Sequence, residues 1–156
     1  MQIITWLLVV VGWLVLSDQQ ESRDFSKHVS QRLSELRKDL SLVEVLAKTH
    51  HTGSFDLSSV QQIVGMLGSL SDELAYLRKE RIVGMSTANL VADFRRAVTG
   101  NNMDQSSYSA VGLSSQLVIE ILTSRQVLDR ELLISSHAVM RSRRSISKSL
   151  LSKLGL

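Results

Sequence analysis

Apolar residues recur along this chain at steps of three and four, the spacing of one face of an α-helix. Phe25, Val29, Leu33, Leu36, Leu40, Val43 and Leu46 or Ala47 make one such stripe and predict a helix over about 18–51. Val60, Ile63, Val64, Leu67, Leu70, Leu74 and Leu77 make a second. It changes phase across Arg78-Lys79-Glu80-Arg81 and resumes at Val83, Leu90, Val91, Phe94 and Val98. The reading is a helix over about 57–98 with a stutter or bend between Arg81 and Gly84. Tyr108, Val111, Leu117, Val118, Ile121, Leu122, Leu128 and Leu132 predict a third helix over about 105–140.

Two breaks separate these stripes, and both use the same turn chemistry. Gly53 and Gly100 suit the left-handed residue that ends a helix, and Asp56 and Asp104 suit the N-cap of the next. Phe55 and Val60, like Met103 and Tyr108, stand at the spacing of a hydrophobic staple. Short connections between long helices predict antiparallel neighbours, hence an all-α bundle of three long helices without strands. In that arrangement the Gly100 loop lies at the N-terminal end of the bundle, and the Gly53 loop and the C-terminal segment lie at the far end.

Ile3 to Leu16 is a different kind of pattern, fourteen residues without a charge. At the helical rise it covers about 21 Å, against roughly 30 Å of bilayer hydrocarbon. It suits a short membrane anchor or a signal peptide cleaved after Val15-Leu16-Ser17, and the absence of Lys or Arg ahead of it favours a retained anchor over 1–17. A single-pass membrane protein follows. Arg23, Lys27 and Arg32 just beyond the run favour a cytoplasmic over an exported body by the positive-inside rule.

Composition narrows the class further. The 156 residues include no Pro and no Cys, which permits long helices and excludes disulfides and thiolate metal sites. Aromatic residues make up only 4%, so the core is aliphatic and suits one bundle domain over 18–140. Charge is divided unevenly. Residues 1–131 hold thirteen Lys and Arg against fifteen Asp and Glu, whereas residues 132–156 hold five basic residues and no acid.

That basic segment, 141–156, is the strongest candidate for function. Ile146, Leu150, Leu151 and Leu154 share a helical face behind an arginine cluster, so the segment reads as a short amphipathic helix. The contact residues expected are Arg141, Arg143, Arg144, Lys148, Leu150, Lys153 and Leu154. An acidic protein groove, a second copy of the chain or an anionic lipid surface fits them; nucleic acid fits poorly, because stacking aromatics are missing. A frayed, solvated terminus is the plainer reading.

Other features read as structural. His50 and His51 are adjacent, point about 100° apart on a helix and lack a third ligand at i+3 or i+4, so they suit a last turn complementing the helix dipole rather than a metal. His28 and His137 stand alone on polar faces. Gly65-Met66-Leu67-Gly68 lacks the Lys-Ser/Thr of a phosphate loop, and its glycines suit close helix packing or a bend alongside Ser71 and Ala75. Arg78 to Arg81 and Arg95-Arg96 read as solvated helix faces. No catalytic residue and no cofactor is expected. The pattern implies a structural or protein-interaction module with a basic C-terminal contact segment; a sensory or signal-transmitting domain working with a separate output protein ranks second, and an enzyme a distant third.

Overall fold

The chain folds into helix α1, Gln2–Thr52, α2, Leu57–Lys79, α3, Thr87–Thr99, and α4, Gln116–Lys153, with no strand among the described residues. The computed structural model describes the backbone of residues 2–100 and 102–153, and the side chains of 23–139 apart from Asn101, with Trp13, Leu16, Ser17, Gln20 and Glu21 ahead of them. The all-helical class expected from the periodicity is therefore present, with four helices in place of three.

The extra helix comes from the phase shift. It is not a bend but a full reversal over Glu80 to Ser86. Arg81 adopts φ 58°; its amide donates to the Arg78 carbonyl at 3.0 Å, and the Ile82 amide donates to Leu77 at 2.9 Å. This pair of bonds is the Schellman ending of a helix, with arginine at the position that glycine usually takes. Val83 is then buried and Ile82 packs beside it against the core, which anchors the turn. The apolar pattern resumes beyond the break because both sides of it face the same core.

The third predicted helix starts later than expected. Residues 102–115 are irregular, and α4 begins where Ser115 Oγ accepts the Val118 amide at 3.4 Å, an N-cap bond. Asp104 does accept the Ser106 amide at 3.0 Å, but it closes a local turn rather than a helix end. Asp56 behaves as expected, accepting the Ser58 and Ser59 amides at 3.1 and 2.9 Å at the start of α2. At its other end α4 continues as one helix through Lys153, so the basic segment is an extension of α4.

Ion pairs and hydrogen bonds set the register. Arg37 meets Asp129 through two bonds of 2.6 and 3.1 Å, while Arg125 donates to Ser41 at 2.6 Å and pairs with Glu44 at 3.6 Å. Rising numbers on α1 thus face falling numbers on α4, and the two are antiparallel. Arg32 pairs with Glu73 on α2 at 3.4 Å and lies over the Tyr76 ring; Ser86 reaches Glu131 at the other end of α3 from Gly100, which lies against Leu117. The order is up, down, up, down. This corrects the predicted topology: α1 and the last helix run opposite ways, and the Gly53 and Gly100 loops share one end.

The core is the predicted seam with small changes. Val29, Leu33, Leu36, Leu40, Val43 and Ala47 of α1 are buried against Ile63, Leu67, Leu70, Leu74 and Leu77 of α2, Phe94 and Val98 of α3, and Ile121, Leu128 and Leu132 of α4. Each fully buried aliphatic chain contributes about 1.5–3 kcal/mol. Leu46 is only partly buried, and Phe25 and Val64 are exposed. An added Cβ at Gly65 or Gly68 would meet nothing within 4 Å, so these glycines do not serve close packing.

Among the described residues no helix is long and apolar enough to cross a membrane, which overturns the expected single-pass membrane localisation and removes the positive-inside argument that placed the body in the cytoplasm. The uncharged run falls about 9 Å short of bilayer hydrocarbon, and α1 continues unbroken from it into Asp18, Gln19, Gln20 and Glu21. Trp13 and Leu16 are exposed; the remaining side chains from Ile3 to Val15 lie outside those described.

Two substitutions test the reversals by thermal unfolding followed by circular dichroism. Arg81→Gly removes the left-handed penalty and should stabilise the fold by up to about 1 kcal/mol. Gly100→Val should destabilise it by about 1 kcal/mol or more, since Gly100 has φ 46° and an added Cβ would lie 3.0 Å from Leu117 Cδ1. Gly53 differs from expectation: its φ is not left-handed, and a Cβ there would instead meet the Thr49 carbonyl at 2.8 Å.

Candidate functional site

Because both loops lie at one end, the last turn of α1 becomes the hub of a polar cluster. His50 and His51 are buried there. His51 Nε2 lies 2.8 Å from the Val98 carbonyl of α3, and its Nδ1 lies 3.2 Å from Asn102 Nδ2. Asn102 reads the backbone of Ser109 in both directions, accepting its amide on Oδ1 at 2.8 Å and donating from Nδ2 to its carbonyl at 2.9 Å. The Val111 amide donates to the His51 carbonyl at 2.8 Å.

Aromatic contacts close the cluster. The His50 ring packs against His51, Phe55 and Tyr108 with centroids 5.2, 5.8 and 5.2 Å away. The Tyr108 hydroxyl lies 2.6 Å from the His50 carbonyl and 2.7 Å from that of Gly53, capping carbonyls that the end of α1 leaves free. The histidines therefore do more than complement a helix dipole: they fasten residues 102–111 to α1. Burial is the main cause that holds His51 below the ordinary histidine range; the hydrogen bond to the Val98 carbonyl opposes it, and the neighbouring His50 adds to it.

Beside this end an open groove of about 580 Å³ runs between α3 and α4. Leu90, Ala97, Leu117 and Val127 supply apolar surface, Gly100 closes the loop end, and Asp93, Arg96 and Glu120 stand among the lining residues. Arg96 is paired with Asp93 at 3.1 Å, leaving the groove with an excess of acid. Its size falls within the range of roughly 300–1,000 Å³ common to binding clefts. It can receive aliphatic side chains with a positive charge nearby.

Arg141, Arg143, Arg144, Lys148, Leu150 and Lys153 lie on the helical extension of α4 with side chains outside those described, and Leu154 lies wholly outside the described residues. Of the charge runs, Lys79 on α2 and Arg95 and Arg96 on α3 are exposed and Arg78 is partly covered, whereas Arg81, also exposed, stands in the reversal and not on a helix face. His28 and His137 are exposed. Among the described residues no three His, Cys, Asp or Glu converge on a common point that could hold a metal.

Sequence reasoning missed Asn102 and the groove. Periodicity carries no signal for a polar side chain bonding a segment seven residues away, and the groove exists only once Glu80 to Ser86 reverses the chain. Fold and site together define a helical bundle with a hydrogen-bonded loop cap and an open interhelical groove. The chain matches no family model, no curated protein and no solved structure.

Unequal costs should follow at the cluster in denaturant unfolding. Asn102→Ala removes a buried side chain that bonds Ser109 twice and leaves His51 Nδ1 unpartnered in a buried setting, and should cost about 2 kcal/mol or more, whereas Tyr108→Phe, at a partly exposed position, should cost about 1 kcal/mol.

Proposed function

We propose that the chain is a helical protein-interaction module, in which the α3–α4 groove takes up the basic amphipathic segment 141–154 of a second copy. The groove carries this reading: an apolar floor with a surplus carboxylate beside it suits a helix that presents leucines flanked by lysine and arginine. The segment supplies that chemistry, with Ile146, Leu150, Leu151 and Leu154 on one face and Arg141, Arg143, Arg144, Lys148 and Lys153 around it.

A second copy is favoured over the same chain by the continuity of α4. The groove is lined by α4 residues as far as Val127, and the helix runs on through Lys153. Arg141 therefore stands about 21 Å farther along the same rod. A chain cannot lay this segment in its own groove without breaking α4. The complementary charges of body and segment point the same way, since the acid lies in 1–131 and the basic excess lies beyond.

Sedimentation velocity at micromolar concentration tests the reading. The unaltered chain should self-associate, more weakly at high salt because exposed charges are screened. Leu150→Asp with Leu154→Asp, and separately Val127→Arg in the groove, should each weaken association at least about tenfold while helicity is retained. An unaltered chain that stays monomeric defeats the proposal, as does one whose association ignores Val127→Arg.

A further inference from the structure

The fixed amide of Asn102 determines the protonation state of His51. Ser109 offers both its N–H and its carbonyl, so Asn102 must turn Oδ1 to the first and Nδ2 to the second. Nδ2 is then the atom facing His51 Nδ1, and it is a donor. Nδ1 must accept, and the ring hydrogen must sit on Nε2, where it meets the Val98 carbonyl. Two independent bonds thus require the same neutral tautomer.

We infer that the His51–Asn102 contact is a pH-sensitive latch, whose opening on protonation of His51 releases residues 102–111 from the end of α1 and loosens the Gly100 end of the groove. A proton on Nδ1 would point at the Asn102 amide hydrogens, donor against donor in a buried site. Turning the Asn102 amide over does not relieve this, because both bonds to Ser109 are then reversed. The segment has to move.

The surrounding charges do not counter this. His50 on α1 is the neighbour whose charge acts on His51, and it further disfavours a proton there. The other titratable groups at this end are Lys48 on α1, Asp56 at the start of α2, Arg95 and Arg96 late in α3, Asp104 and Tyr108 in the connecting segment, and Glu120 on α4. Asp56 and Asp104 are exposed and committed to Ser59 and Ser58, and to Ser106; Arg96 is turned to Asp93. A histidine held below its ordinary range stabilises the fold fully above about pH 6.5, and that contribution is lost as pH falls through its lowered value. Asp129, held low chiefly by its hydrogen bond from Arg37, responds only in the more acidic carboxylate range.

The consequence for assembly rests on the groove reading, whereas the latch does not, and the test reads them separately. NMR titration of the His51 ring should place its midpoint below the ordinary histidine value of about 6.5. Amide exchange at Ser109 and Val111, corrected for intrinsic rates, should quicken between pH 7.5 and 5 by about tenfold per pH unit within the window between the folded and unfolded values. Asn102→Asp should move the His51 midpoint upward, because a carboxylate welcomes the proton that the amide rejects; His51→Gln should remove the pH response. A His51 midpoint at or above the ordinary histidine value of about 6.5, or exchange at Ser109 and Val111 indifferent to pH, overturns the latch even if either variant fails to fold, since both readings come from the unaltered chain. Acid opening of 102–111 without change in self-association upholds the latch and tells against the groove as the site of assembly.

Discussion

The bundle depends on the reversal at Glu80 to Ser86. Arg81 sits there in a left-handed conformation that costs a residue with a side chain about 1–2 kcal/mol. The cost is offset by the two hydrogen bonds that end α2 and by the burial of Val83, with Ile82 packed beside it. Were α2 to continue through this point, α3 would leave the core and Phe94 and Val98 would lose the partners that bury them. The groove would have only one wall. A strained residue held by an apolar neighbour thus helps bring α3 back onto the core.

At the opposite end the chain uses a different device. Residues 102–115 form no regular structure, yet their backbone is tied through Asn102, Tyr108 and the His51 carbonyl. These bonds replace the ladder that a helix would have supplied, and they do so between elements far apart in sequence. The end of α1 benefits in turn, since its free carbonyls at His50 and Gly53 find a donor in Tyr108. Two segments that would each be left unsatisfied satisfy one another.

The helical class and most of the core were legible from spacing alone, because Val29 to Ala47 and Ile63 to Leu77 are aliphatic stripes that only a helix can bury on one side. Asp56 was legible as a cap because its signal is local. The reversal was legible only as a bend, since Arg81 is an unusual choice for the left-handed position and Gly84, the glycine of the break, does not occupy it. The late start of α4 was hidden for a related reason: Tyr108 and Val111 are apolar at helical spacing but are held by tertiary partners on α1. The groove and the histidine cluster are products of topology, and no window of sequence contains them.

The pairing of Arg37 with Asp129 joins positions 92 residues apart. Closing a loop of that length costs about 3 kcal/mol more in chain entropy than closing the four-residue turn between α1 and α2. In kinetic terms the hairpins made by neighbouring helices are the inexpensive contacts, and the union of the first helix with the last is the expensive one. High contact order is therefore concentrated on α1, where it meets α4 and residues 98–111, so the rate at which this bundle forms depends on how soon α1 finds the second half of the chain.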